Sequence, residues 1–326
     1  MKKLVLISCY MGALPPYFPA FLTSCSWNPA IDFVIFVDSD VSIQVPSNVR
    51  IEYMTLTRIT SIAKEKIGKW ITLDTPYKLC DFKPTYGLLF SEWISGYDYW
   101  GHCDIDVIWG QLQKKVLPLL DKKADRYFKY GHLSIYKNET WINESFKLPY
   151  SGIQYKKALS TPVSCGFDEM KGTWVLAQEN GLNVYHEDIV FDIKRPGFSR
   201  YLQSYTSKNY PYQYFLCKDR CVLQFFRDES GVWKSEERAY IHFQKRKLKI
   251  NVDIERSNFQ ITEDKIVGIT MSDSVDLLLS RNQVKDIGIL MAFHYCLSDF
   301  FATLKFKMLK LSILWTSRII LRKTNS

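Results

Sequence analysis

Two carboxylates, an imidazole and a cluster of bases carry the chemistry this sequence offers. In the stretch GYDYWGHCDIDVIWG, Asp104 and Asp106 stand two positions apart between apolar flanks. On an extended chain side chains alternate with period two, so both acids share one face. Two carboxylates there repel each other unless a cation or hydrogen-bond donors lie between them. Mg²⁺ and Mn²⁺ accept such hard oxygen ligands, commonly one or two carboxylates plus substrate phosphates. A solvated acidic turn is the plain alternative for the tripeptide alone, but Tyr99, Trp100, Val107, Ile108 and Trp109 around it are apolar. The second cluster lies far downstream, in IHFQKRK. If it is extended, His242, Gln244 and Arg246 share a face, and a turn would release Lys245. Neutral imidazole suits a Mn²⁺-like ion, and Lys and Arg are natural partners of a diphosphate. Taken singly, His242 is as well read as a buried histidine beside a basic surface turn. Taken with Asp104 and Asp106 it proposes one site: metal plus diphosphate.

Other acids are candidates for general-base work: Asp168, Glu169 and Asp188. Asp168 also reads as a helix cap, and Glu187-Asp188 as solvated residues. His132 either lines a groove or fills a strand.

The elements that must position these residues follow from periodicity. Leu4–Cys9, Asp32–Val37 (DFVIFV) and Val49–Met54 read as strands, with a helix over Tyr17–Ser26 between the first two. Strand, helix, strand with apolar strands implies a parallel sheet covered by helices, with ligands beyond the strands' carboxyl ends. Tyr10, Asp38 and Asp104 fall at such ends. Helices are expected over Ile62–Ile71, from Asp81 (its cap, with Pro84 in the first turn) to about Ile94, and over Gln111–Leu120. Lys83, near the start of the second, would face a phosphate there or remain a surface lysine. Arg126–Tyr136 reads as one strand containing Gly131-His132. Ile254–Ser274 reads as an irregular connector, and Val284–Lys323 as helical.

Composition sets limits. A chain of 326 residues, 47% of them apolar, buries a substantial core and is not disordered. The eight cysteines show no C-x-x-C spacing, which argues against zinc and for a reducing compartment. Lys2-Lys3 followed by LVLISC is too short for a secretory core, and no run reaches a membrane-spanning length. The net charge of +9 concentrates at the end: from Phe300 onward Lys305, Lys307, Lys310, Arg318, Arg322 and Lys323 occur with no acid. Leu304, Met308, Leu311, Leu314 and Trp315 would form the apolar face of the same helix. This pattern favours an anionic membrane surface over nucleic acid.

The blocks YKLCDFKPTYGLLF, GYDYWGHCDIDVIWG and IHFQKRK, with GHLSIYKN and FDE, resemble bacterial glycosyltransferases of capsule and O-antigen type polysaccharide assembly, which carry a DxD motif. The chain is more distantly similar to glycosyltransferase family eight. The resemblance covers about 1–249. It implies an α/β fold of GT-A (Rossmann-like) type, a mostly parallel sheet flanked by helices; the C-terminal helical extension expected over 250–326 lies beyond it and rests on the sequence pattern alone. It implies a hexosyltransferase moving sugar from a nucleotide-diphosphate donor, a UDP-sugar foremost, to a glycan or lipid-linked acceptor, with Mn²⁺ or Mg²⁺. By position Asp104, Asp106 and His242 are the metal ligands. Asp104 contacts the ribose or the metal, Lys245 and Arg246 lie at the diphosphate, Lys83 at the donor, and Asp38 at the base or ribose; Tyr10, at a strand end, is a further donor-binding candidate. Family eight has a glycine and Lys-Pro-Trp after its histidine, where this chain has Gln244-Lys245-Arg246. The expected location is cytoplasmic, peripheral at the inner face of the plasma membrane. Two other readings stand beside this one: a haloacid-dehalogenase-type phosphatase using Asp38 and Asp40, and a non-catalytic membrane-bound binding module.

Overall fold

The structure is a computed structural model. It describes residues 2–195, 202–244, 246, 248–252, 254, 258–270 and 272–281. Apart from Arg195 these belong to one compact unit, Met1–Lys194 with Tyr201–Gln283. The basic tail, Lys245 and the expected helix over 284–323 lie outside the described residues.

The strands begin with β1 (Lys2–Tyr10), β2 (Asp32–Val37), β3 (Val49–Tyr53), β4 (Tyr97–Cys103) and β5 (Val107–Trp109). Next come β6 (Arg126–Tyr130), β7 (Leu133–Lys137), β8 (Val184–Tyr185), β9 (Val190–Asp192), β10 (Gln213–Lys218) and β11 (Cys221–Arg227). The last are β12 (Trp233–Arg238), β13 (Tyr240–His242), β14 (Lys249–Asn251), β15 (Phe259–Ile261) and β16 (Lys265–Gly268). A seven-stranded sheet runs β3-β2-β1-β4-β7-β6-β8. It is mostly parallel: β3, β2, β1 and β4 run the same way, and β7 enters antiparallel to β4. The fold class is therefore α/β with a mostly parallel sheet flanked by helices, as the strand pattern predicts.

Both faces of this sheet are covered, which is why β1 and β2 are apolar at nearly every position. Val5, Ile7, Val34 and Phe36 pack on the helix Leu56–Lys66 and on the segment Leu79–Phe90. On the other face Phe33 lies 6.2 Å, ring to ring, from Trp109, and Phe21 of the helix Phe18–Ser26 lies 6.4 Å from it. Each fully buried side chain of this size contributes about 1.5–3 kcal/mol.

Several local expectations give way. The helix expected over Ile62–Ile71 starts at Leu56, because Thr55 caps it by accepting from the Arg58 amide at 3.2 Å. Asp81 caps nothing; it lies inside a short helix, Leu79–Phe82. The long helix predicted after it breaks into a 3₁₀ turn at Lys83–Thr85 and a single turn at Tyr86–Leu89. Pro84 has no amide to donate to the preceding turn, so the ladder is interrupted there. Pro118 does the same to Gln111–Leu120, leaving Leu112–Lys115 and a 3₁₀ stretch, Leu117–Lys122. Arg126–Tyr136 is a hairpin, with Gly131-His132 as its turn. The stretch read as a connector holds β15 and β16, which add to the sheet β12-β11-β10-β15-β16-β14.

The three-stranded sheet β5-β13-β9 matters most for function. β13 is antiparallel to β5, with His242 opposite Val107, and parallel to β9, with His242 opposite Asp192.

Candidate active site

Asp104 and Asp106 occupy the loop between β4 and β5, at the carboxyl edge shared by β1, β2 and β4. β13 then lays His242 alongside, and the Phe243 amide donates to the Asp106 carbonyl at 3.1 Å. Asp104, Asp106 and His242 each offer one ligand atom, and those atoms lie within 4.8 Å of one another. His242 Nε2 is 3.4 Å from Asp106 Oδ1, and Nδ1 is 2.8 Å from Asp192 Oδ1. Burial alone would lower the pKa of His242, but Asp106 and Asp192 outweigh it and raise it to about 10. Two carboxylates and an imidazole nitrogen form a donor set suited to Mn²⁺-like ions and acceptable to Mg²⁺. The residues thus fit the divalent cation expected of them.

A second triplet, His132, Asp192 and His242, is equally close. In it Tyr240 Oη is 2.9 Å from His132 Nδ1, His132 Nε2 is buried without a hydrogen-bond partner, and the two imidazole rings lie 4.3 Å apart between centroids. Asp104 is the one partly exposed member of either set, its side chain 32% exposed toward the cleft. Solvent and ligand reach the first triplet through it.

Beside the triplet runs a chain of charges. Lys83 Nζ lies 2.6 Å from Asp104 Oδ1 and 3.2 Å from Asp168 Oδ2, and donates to the Gly131 carbonyl at 2.9 Å. Lys83 is therefore a buried cation, not a surface lysine. Burial opposes its charge, yet the two carboxylates hold it well above the ordinary lysine value. Asp168 moves the other way: desolvation exceeds the pull of Lys83, and its pKa rises to about 7. One ammonium faces two acids, and Asp104 has the shorter contact. Lys83 therefore stays charged, and Asp168 is the acid that titrates.

A second buried pair fixes Asp168. Lys78 and Asp81 meet at 2.7 Å with both side chains fully buried. Asp81 accepts from the amides of Cys165 and Phe167 at 2.8 and 2.9 Å, so the residue before Asp168 is pinned. Lys78 donates to the carbonyls of Ala158 and Val163. The cap reading of Asp168 is replaced by its pairing with Lys83; Glu169 stands at the helix start, without a side-chain cap bond. Glu169 is exposed and accepts from the Gly131 amide at 3.4 Å. A methyl added at Gly131 would meet Asp168 Oδ2 at 2.7 Å and Glu169 Oε1 at 2.8 Å, so one or both carboxylates would have to shift to admit it.

The cleft in front of these groups has a volume of about 680 Å³. Tyr10, Tyr17, Tyr77, Lys83, Asp104 and Asp106 are among its lining residues. Tyr10, half-buried, has its pKa raised by burial and by Asp106. Asp38 is exposed after β2, and its carboxylate accepts from the Gly12 amide at 2.6 Å, tying the loop after β1 to the end of β2. Asp188 bonds Tyr130 Oη at 2.7 Å and His186 Nε2 at 3.0 Å. Like Asp168, Glu169 and His242 it is not among the residues lining the cleft, and unlike Asp168 it has no contact with Lys83. Arg246 does not share a strand face with His242. The chain turns at Gln244 (φ 53°), and the Arg246 guanidinium donates to the carbonyls of Phe243 and Lys194. Lys245 lies outside the described residues.

Asp192, Lys78 and Asp81 went unrecognised in the sequence as parts of the site. The signal for Asp192 was a single acid inside the apolar run VFDI.

The solved structures similar to this one include three glycosyltransferases. Mouse xyloside xylosyltransferase 1, in its apo form, is 7% identical over 59% of this chain and 88% of that one, with a TM-score of 0.37. The galactosyltransferase LgtC, in complex with donor and acceptor sugar analogues, is 10% identical over 58% and 75%, with a TM-score of 0.34. The apo form of the glycosyltransferase GlyE from Streptococcus pneumoniae TIGR4 is 10% identical over 59% and 47%, with a TM-score of 0.33. No curated protein matches the sequence. Residues 6–270 match the family described as "Family of unknown function (DUF6625)". That match takes in β4, β5, β9 and β13 with every candidate ligand, and the chain belongs to this family.

Proposed function

We propose that this protein is a divalent-metal-dependent glycosyltransferase of GT-A type, drawing on a nucleotide-diphosphate sugar. The observation that carries the reading is the convergence of Asp104, Asp106 and His242, from two distant parts of the chain, beside a cleft at the carboxyl edge of a parallel sheet. Ligands of open α/β sheets bind at that edge. Asp104, Asp106 and His242 would hold Mn²⁺ or Mg²⁺, which when bound supplies positive charge against the diphosphate leaving group. Lys83 adds a buried ammonium next to Asp104, already in place before charge develops. Asp168, buried beside Lys83 and anchored through Phe167, is our candidate to hold or accept a proton from a sugar hydroxyl, supported by the rise of its pKa to about 7. Glu169 is the more exposed acid beside it. Tyr10 and the loop that Asp38 ties down border the part of the cleft assigned to the nucleoside.

The donor is taken to be a UDP-sugar, and the acceptor a glycan or lipid-linked sugar in surface polysaccharide assembly, of capsule or O-antigen type. The catalytic part is assigned to 1–249. The part over 250–326 is taken as an extension whose basic C-terminal sequence, outside the described residues, would meet an anionic membrane face. Among the described residues no helix is long and apolar enough to cross a membrane. The phosphatase reading finds little support, because Asp38 and Asp40 are exposed and Asp38 is spent on the Gly12 amide.

The test is calorimetric titration of UDP with and without MnCl₂, using wild type, Asp106→Ala and His242→Ala. Mn²⁺-dependent UDP binding is expected in the wild type, weakened by more than about 100-fold in both variants, since losing a ligand costs more than losing its hydrogen-bond partner. Equal binding in all three proteins would remove the metal assignment.

A further inference from the structure

We propose that Asp192 is a positioning residue, whose carboxylate fixes the rotation and tautomer of His242 so that Nε2 faces Asp106 and the cation. The inference rests on the metal reading above and adds a residue to it. An imidazole on a strand can rotate half a turn about its Cβ–Cγ bond, exchanging a nitrogen for a carbon on each edge. A fixed acceptor at Nδ1 removes that freedom, and it leaves Nε2 as the nitrogen that presents a lone pair.

The geometry supplies such an acceptor and holds it still. Parallel pairing sets Asp192 opposite His242. Asp192 Oδ1 is 2.8 Å from His242 Nδ1 and accepts from Gln244 Nε2 at the same distance. The Asp192 amide donates to Thr206 Oγ1 at 3.1 Å, and its carbonyl accepts from the Tyr205 amide at 2.7 Å. Its side chain is 11% exposed, so water cannot readily replace it as the partner of Nδ1. His132 covers one face of the His242 ring. The other edge of the ring then points at Asp106, 3.4 Å away.

The experiment titrates MnCl₂ into nucleotide-free, full-length protein and follows free Mn²⁺ by electron paramagnetic resonance. Proteins compared are wild type, Asp192→Ala, Asp192→Leu, Asp192→Asn and His242→Ala. The ¹⁵N shifts of the His242 ring in Mg²⁺-loaded protein give a second readout, since the metal-free ring, with its pKa raised to about 10, carries a proton on both nitrogens. Leu fills the volume without an acceptor, and keeps the test open if Ala weakens the fold. Asn retains an acceptor oxygen for Nδ1–H but is a poor ligand.

Ala and Leu are expected to weaken Mn²⁺ binding about 10–100-fold and to populate the other tautomer. Asn is expected to keep affinity within about threefold of wild type with the original tautomer, because the hydrogen bond, not the charge, does the positioning. Wild-type affinity in Ala and Leu, with His242→Ala defective, would overturn the proposal while leaving the metal site intact. An Asn variant as weak as Ala would make Asp192 a ligand and also overturn it. Undiminished binding in His242→Ala would instead sink the metal reading itself.

Discussion

The two arms of the site are built by different means. Asp106, His242 and Asp192 are aligned by backbone pairing across β5, β13 and β9, three strands of three residues each. Lys83, Asp104 and Asp168 are aligned by side-chain charge, through segments with little regular structure, and a second buried pair, Lys78–Asp81, holds the loop in front of Asp168. Strand pairing places a group by register, and its hydrogen bonds do not titrate. A placement made by buried ions depends on protonation, and removing one partner strands the other in a medium that solvates it poorly. The first arm suits a task needing fixed geometry, holding an ion. The second suits a task in which a proton must move.

Breaking the charge-built arm is expected to give the largest effect. Lys78→Met leaves Asp81 buried without its cation and should cost about 3–5 kcal/mol in urea unfolding. Because Asp81 also holds the amides of Cys165 and Phe167, the variant should lose order around Asp168 first, visible as faster amide exchange there than in β13. Uniform exchange in both regions would erase the distinction between the arms.

The pH dependence sharpens it further. Asp168 has an ordinary value of 3.8 and is raised to about 7 in the folded protein. The folded state therefore keeps a proton that the unfolded chain has released. The stability this contributes is present below about pH 4 and is lost as pH rises through about 7. Urea midpoints of wild type should fall relative to Asp168→Asn across that window. A constant difference between the two proteins would show that Asp168 does not titrate there. The smallest effect belongs to Asp188, whose side chain is 42% exposed. Asp188→Asn should change stability by no more than about 0.5 kcal/mol and leave Mn²⁺ affinity unchanged. Strong loss of turnover in that variant, with binding intact, would restore it as the base.

What could be seen in the sequence follows the same division. β1 and β2 are legible because strands buried on both faces are apolar throughout, and Tyr10 and Asp38 fall at their ends, as Asp104 does at the end of β4. Asp106 and His242 were legible as chemistry, but their meeting depends on β5 and β13, too short to show any period. Asp192 gives no such signal: it is a single acid at the end of a three-residue strand, and only the pairing of β9 with β13 sets it opposite His242. Asp81 was taken for a cap because an acid before a proline and an apolar run imitates one. Its real partner, Lys78, lies three residues upstream, and the amides it binds lie more than eighty residues downstream, at Cys165 and Phe167. Arg246 was assigned by extending a strand past the left-handed turn at Gln244, which nothing in IHFQKRK announces.

The hairpin turn at Gly131 has one more consequence. Its bare α-carbon is the wall against which Asp168 and Glu169 rest, and its carbonyl takes a hydrogen bond from Lys83. A single methyl there would wedge the acids apart without touching a candidate ligand of the cation. If those acids serve the proposed transfer, Gly131→Ala should bind Mn²⁺ as wild type does and lose turnover.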